Sequence, residues 1–168
     1  MQRVPPAHWN ESVFRFFLVR RLLSAAPTVD CRTEWNRVDL VFPDPDGAAL
    51  VEVKFFATQP LSDHTGRLIR MKGGPSAQNH QEYEAVLEKL RLSRRADWAP
   101  SCGGVAEAYL VLAYEDAIGA RYTYASHYDA VEPSGPVRFI QQIVQRAPIG
   151  GDAVFTCKLL MIDLAPAI

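Results

Sequence analysis

Two charged residues, Glu52 and Lys54, interrupt an apolar stretch over residues 48–56. A strand this apolar is typical of a sheet that is covered on both faces. Because side chains alternate along a strand, Glu52 and Lys54 leave the sheet on the same face. A Glu-x-Lys pair on a strand can be an exposed ion pair worth about 0–1 kcal/mol, but charges inside a buried strand require a partner or a ligand. The sequence therefore indicates Glu52 and Lys54 as candidate functional residues.

The preceding strand supplies a second carboxylate. Residues 37–42 alternate, so that Asp39 lies on the face opposite to Val38 and Leu40. If this strand and the next form an antiparallel hairpin, their apolar faces coincide, for example, in the register that places Asp39 directly opposite Glu52. Directly opposed residues have Cβ atoms about 5 Å apart, and two carboxylates that close repel each other unless a cation lies between them. The hairpin therefore predicts a cation site.

The type of ligand indicates which cation would bind. Asp39 and Glu52 offer hard oxygen ligands, and no His or Cys accompanies them. Such ligands suit Mg²⁺, which keeps several water molecules and takes one or two protein carboxylates. The backbone carbonyl of Val53 is the natural additional ligand. We therefore predict a Mg²⁺ site, with Mn²⁺ as a substitute, held by Asp39, Glu52 and Val53.

The rest of the chain predicts one α/β domain over residues 1–168, because no repeat or linker divides it. Asn10 is an N-cap residue for a helix to about residue 25, and this helix is expected to be largely buried. Ser76 caps a second helix to about residue 92, in which Tyr83 is expected to lie in the core. The other predicted elements are strands at 29–35, 108–114 and 153–164, a long polar loop at 57–75 and a helix at 137–146.

A hairpin that carries Asp39 and then the run Glu52-Val53-Lys54, after a helix that carries Glu11, resembles the PD-(D/E)xK nuclease superfamily. The resemblance covers about residues 9–114. It implies a restriction-endonuclease-like fold, with an α-β-β-β-α-β core and a mixed central sheet flanked by helices. Residues 115–168 would then add a C-terminal helix and strand.

The resemblance also implies a role for each site residue. Asp39 and Glu52 would hold the metal, and Lys54 would orient the attacking water or help to deprotonate it. Glu11 would support the metal site directly or through water. The implied reaction is metal-dependent hydrolysis of a phosphodiester bond in nucleic acid, with DNA as the expected substrate and an endonuclease as the expected enzyme.

Two groups of residues are candidates for contact with the substrate. The basic residues of the predicted loop, Arg67, Arg70 and Lys72, would contact phosphates, although a solvated loop is the alternative. In the second helix, Gln78 and Gln81 could contact the site or the substrate, although this helix lacks an intact Gln-x-x-x-Tyr pattern. The formal net charge of -1 argues against a protein that coats nucleic acid non-specifically. Any positive patch must therefore be local.

The sequence also limits location and partners. The apolar stretch over residues 13–23 contains three arginines, so it is neither a signal peptide nor a membrane span. We therefore expect a cytoplasmic protein with no membrane partner. The three cysteines are an odd number without a Cys-x-x-Cys pair, which indicates neither a disulfide framework nor a zinc site.

A second hypothesis keeps the fold without the catalysis. In this alternative the carboxylates no longer turn over substrate, and the domain binds or assembles with a partner protein. The short chain and the slightly acidic charge motivate it, because a free-standing nuclease needs more basic surface than the sequence shows. A homodimer also stays open, since cleavage of both DNA strands by an enzyme with one site requires two copies.

Overall fold

The computed structural model describes residues 10–57, 59–62, 65, 67–72, 76–117, 121, 123–124, 137–146 and 153–167. Within these residues the protein is α/β, with two α-helices of 15 residues each and eight strands. In chain order the elements are α1 (Glu11–Ala25), β1 (Arg32–Trp35), β2 (Val38–Phe42), β3 (Ala48–Ala57), β4 (Gln59–Ser62), β5 (Leu68–Lys72), α2 (Ala77–Arg91), β6 (Val105–Ala117), β7 (Val137–Arg146) and β8 (Ala153–Ile162). Short 3₁₀ turns at Ser93–Arg95 and Ala99–Cys102 connect α2 to β6.

Six strands form one mixed sheet in the order β1-β2-β3-β6-β8-β7. Only β3 and β6 pair in parallel among these neighbours, and the other pairs are antiparallel. A parallel pair needs a long crossover connection, and here the crossover contains α2. The strands β4 and β5 form a separate two-stranded hairpin within the same crossover.

Both helices begin where the capping residues predicted. The Asn10 side chain accepts a hydrogen bond of 2.9 Å from the backbone N–H of Val13. The Ser76 side chain accepts one of 3.2 Å from the backbone N–H of Asn79. Each bond satisfies a backbone donor that the first turn of a helix leaves unpaired. The predicted helices at 10–25 and 76–92 are confirmed within one residue at each end.

The sheet has an apolar core on each face, as the apolar stretch in β3 indicated. On one face, Phe14 of α1 packs with Val53 and Phe55 of β3. On the other face the buried residues include Tyr83, Leu87 and Leu90 of α2 together with Leu50, Phe56, Leu110 and Leu112 of the sheet. Tyr83 is therefore a core residue, as predicted. The buried apolar side chains of β3 alternate between the core that faces α1 and the core that faces α2.

The prediction for residues 137–146 was wrong, because this segment is the edge strand β7 and not a helix. Its apolar residues satisfy a helical period and a strand pattern about equally well, and pairing with β8 along the whole segment decides the outcome. The prediction of a polar loop at 57–75 was also wrong in part, since this segment contains β4 and β5. These two strands pair only with each other, so they need no continuous apolar face.

Helix α1 is less buried than the sequence predicted. Of its apolar residues only Phe14 is buried, and Phe16 is 61% exposed. Leu22 is 38% exposed. The first half of the helix packs against the sheet through Phe14 and Leu18, whereas residues 20–25 are all exposed. In the part of the chain that the structure describes, no helix has both the length and the apolar character to span a membrane.

Candidate functional site

The hairpin of β2 and β3 has the register that the sequence predicted. Leu40 pairs with Val51, and Phe42 pairs with Ala49. Continuing this ladder by one residue places Asp39 opposite Glu52. The Asp39 carboxylate accepts a hydrogen bond of 2.9 Å at Oδ2 from the backbone N–H of Val53. The two carboxylates are therefore neighbours at the end of the hairpin where β2 begins.

Glu52 is the most deeply buried acid of this site. Its side chain is 6% exposed, and it lies on the face of β3 that also carries Leu50. Burial raises the pKa of Glu52 to about 7, with a further contribution from the charge of Asp39. The ammonium group of Lys89 acts in the opposite direction but does not cancel the effect of burial. The protein therefore holds this carboxylate in an environment that favours its protonated form below neutral pH.

Lys89 reaches the site from α2. Its ammonium group donates hydrogen bonds to Oε1 of Glu52 and to the backbone carbonyl of Arg37. Lys89 was not among the site residues predicted from the sequence. One signal was present, because Lys89 follows Val86 by three residues and precedes Leu90, so it lies at the border of the apolar stripe of the helix. A lysine in that position can reach the sheet.

Asp39 also has a cationic partner. The guanidinium of Arg15, on α1, binds Oδ1 of Asp39 and Oε1 of Glu34. The side chain of Asp39 is 14% exposed and that of Glu34 is 69% exposed, so only the Asp39 end of this bridge is shielded from water. Arg15 thus neutralises Asp39 and fixes its orientation.

Lys54 forms an ion pair of 3.3 Å with Glu11, between Nζ and Oε2. Glu11 and Arg15 are four residues apart on α1, so they lie on the same side of the helix. The two residues contact the strand lysine and the hairpin aspartate, respectively. Glu11 therefore contacts Lys54 directly, and its support of a metal site stays a prediction.

The donor set is consistent with a hard divalent cation. Among the described residues, no group of three or more His, Cys, Asp or Glu side chains is arranged to hold a metal. Asp39 and Glu52 are a pair and not a larger group, and one or two carboxylates are the usual protein ligands of Mg²⁺, which keeps several water molecules. Each carboxylate offers about four lone-pair positions. The bonds to Arg15, Lys89 and the backbone of Val53 leave some of them available.

The basic residues that were predicted to contact substrate lie in β5 or just before it. Arg67 is exposed just before β5, and Arg70 and Lys72 lie on β5 opposite Leu61 and Gln59 of β4. They belong to a hairpin and not to the irregular loop that was expected.

The glutamines of α2 are exposed near the start of the helix. Gln78 donates a hydrogen bond of 3.0 Å to Glu82, and Gln81 lies within the same first turns. Gln81 precedes Lys89 by eight residues, which is about 12 Å along the axis of a helix. The contact between α2 and Glu52 is therefore made by Lys89 near the other end, and contact of Gln78 and Gln81 with substrate stays a prediction.

No protein-family model matches the chain, and no curated protein or solved structure matches it. The protein is an α/β domain with a mixed six-stranded sheet. At the end of the β2–β3 hairpin it carries the buried Glu52 and the half-buried Asp39, each bound to a basic residue of a different helix.

Proposed function

We propose that the protein is a Mg²⁺-dependent nuclease of the PD-(D/E)xK type that hydrolyses phosphodiester bonds, with DNA as the expected substrate. The observation that carries the proposal is the hairpin register, which brings Asp39 next to Glu52 and is followed on the same strand by Lys54. The order of elements from α1 to β6, apart from the added β4–β5 hairpin, supports a restriction-endonuclease-like fold. We place its action in the cytoplasm.

The electrostatics of Glu52 support a cation at this position. Burial keeps the pKa of Glu52 at about 7 even though Lys89 contacts it. The folded protein therefore compensates only part of the negative charge that it buries. A divalent ion between Glu52 and Asp39 would supply the remaining positive charge, and this gain favours binding at neutral pH.

The residues of the chain would divide the chemistry between them. Asp39 and Glu52 would hold Mg²⁺, with the carbonyl of Val53 as an additional ligand. The chemistry that bound Mg²⁺ supplies is Lewis acidity toward a phosphate oxygen and acidification of a water molecule. Lys54 would orient the attacking water with its ammonium group, and the ion pair with Glu11 would keep that group in place.

The phosphates of the substrate need positive charge close to the carboxylates. The basic residues proposed for this role are Arg67, Arg70 and Lys72, the last two of which belong to β5. Contacts of this kind position the backbone without reading the sequence. They would also make binding weaker as the salt concentration rises.

A cleavage assay tests the proposal. We expect Glu52→Gln and Lys54→Met to abolish Mg²⁺-dependent nicking of plasmid or cleavage of single-stranded DNA, while circular dichroism shows that both variants are folded. The matched control is Glu107→Gln, which removes an exposed carboxylate from β6, outside the site. Cleavage by Glu52→Gln at the wild-type rate would refute the assignment.

A second candidate is the binding or assembly module. The observation that favours it is that both carboxylates already hold a basic side chain, Arg15 on Asp39 and Lys89 on Glu52. In this case the site would be a structural ion-pair network, and the domain would act with a partner protein. Titration calorimetry with Mg²⁺ or Mn²⁺ separates the candidates, because a nuclease site binds the ion and an ion-pair network does not.

A further inference from the structure

We infer that Lys89 is a positioning residue of the candidate site. Its ammonium group occupies the place on Glu52 that a divalent ion would take. The inference rests on the proposed function, since it concerns the loading of the same site. It assigns to α2 a residue that controls metal affinity.

The contacts of Lys89 carry the inference. The ammonium group binds Oε1 of Glu52 and the backbone carbonyl of Arg37 at the same time. A divalent ion bound to that carboxylate would lie within a few ångströms of the ammonium group, and two cations so close repel strongly where water is excluded. The ion and the ammonium group therefore compete for Glu52.

The burial of the two partners shows which one can move. The side chain of Glu52 is 6% exposed, whereas that of Lys89 is 38% exposed. Glu52 is fixed on a central strand, and Lys89 has a flexible stem that reaches solvent. The ammonium group can therefore leave Glu52 by rotation of its own side chain, without a change in the backbone.

The contact with Arg37 would keep the Lys89 ammonium group close to the site after an ion has replaced it on Glu52. Asn36 and Arg37 form the two-residue turn between β1 and β2, with φ of 50° and 65°. These are the positive φ values of a type I′ hairpin turn. Because the carbonyl of Arg37 belongs to this defined turn, it offers Lys89 a second anchor beside the site when an ion takes its place on Glu52.

Arg15 does not share this role. Its guanidinium binds Asp39 and Glu34 together, and its side chain is only 20% exposed. It bridges β1 and β2 through Glu34 and Asp39, whereas Lys89 binds Glu52 of β3. Removal of Lys89, and not of Arg15, would therefore relieve the competition between an ammonium group and a divalent ion for Glu52.

Calorimetric titration of the full chain with MnCl₂ tests the inference, with wild type, Lys89→Met and Arg91→Met compared. We expect Lys89→Met to bind Mn²⁺ about tenfold more tightly than wild type, within the usual range of coupling between two sites. Arg91→Met is the matched control, because Arg91 lies on the same helix, is 39% exposed and pairs with Glu88. This substitution removes one positive charge but leaves the contacts of Glu52 unchanged, so the affinity of the variant for Mn²⁺ should equal that of wild type. Lys89→Arg, which keeps the charge, should restore the wild-type affinity.

Each outcome decides the question. An equal or weaker affinity for Lys89→Met, with wild-type binding intact, overturns the inference and leaves the proposed nuclease standing. An equal gain for Arg91→Met also overturns it, because the effect would then be one of net charge. Absence of binding in wild type and in Lys89→Met overturns the inference and the metal site together. If Lys89→Met fails to fold, Lys89→Gln replaces it with the same expected result.

Discussion

The burial of Glu52 predicts how the stability of the metal-free protein depends on pH. The pKa of Glu52 is about 7 in the folded protein, against an ordinary value of 4.5. Between these two pH values the folded protein keeps a proton that the unfolded chain has lost. Stability from this group is therefore greatest below pH 4.5. It falls as the pH rises toward 7 and is constant above that value.

The magnitude follows from the same interval. At about 1.36 kcal/mol for each pKa unit, the interval from 4.5 to about 7 corresponds to about 3 kcal/mol in the free energy of unfolding. Glu52→Gln does not titrate, so the difference in stability between wild type and this variant isolates the contribution of Glu52. Most of the change should fall between about pH 5 and pH 7.

Urea unfolding with a chelator present, followed by fluorescence at several pH values between about 5 and 8, measures this difference. We expect wild type to lose about 2–3 kcal/mol relative to Glu52→Gln across this range. A difference that stays constant, or one in which wild type gains stability as the pH rises, would refute the description of Glu52 as a buried and incompletely compensated acid.

Three further substitutions test particular contacts by the same unfolding assay. Arg15→Met should cost about 1–3 kcal/mol, because it leaves Asp39 shielded from water without its cationic partner; an unchanged stability would show that the ion pair contributes nothing. Arg37→Gly should stabilise the protein by about 1 kcal/mol, because Arg37 has φ of 65° and glycine adopts this conformation without strain; a loss of stability would contradict the strained turn. Leu90→Ala should cost about 2–5 kcal/mol, since Leu90 is fully buried, whereas Leu23→Ala at a 38% exposed position should cost much less; similar losses for both would contradict the core described for α2.

Local patterns were sufficient for the parts of the fold that position the candidate site. The alternation of β2 and β3 predicted their register, because a shift by one residue would have turned Asp39 toward the opposite face. The capping residues Asn10 and Ser76 predicted where both helices begin, because a side chain must satisfy the first backbone N–H groups. These signals act within a few residues and can be read directly.

The features that the sequence did not predict depend on distant parts of the chain. The strand β7 forms because β8 pairs with it, and its own apolar pattern suits a helix equally well. The bonds of Lys89 to Glu52 and of Arg15 to Asp39 join residues that are 37 and 24 positions apart. The packing of both helices on the sheet brings these pairs together, so a local pattern can place Lys89 at the border of an apolar stripe but cannot name its partner.

The proposed function requires that Asp39 and Glu52 share a divalent ion. A crystal structure of the protein soaked with Mn²⁺, with anomalous diffraction recorded, would show whether they do. We predict an anomalous peak between the two carboxylates and an ammonium group of Lys89 that has moved off Glu52. A structure without a peak there, with Lys89 and Arg15 still bound to the two acids, would contradict the claim.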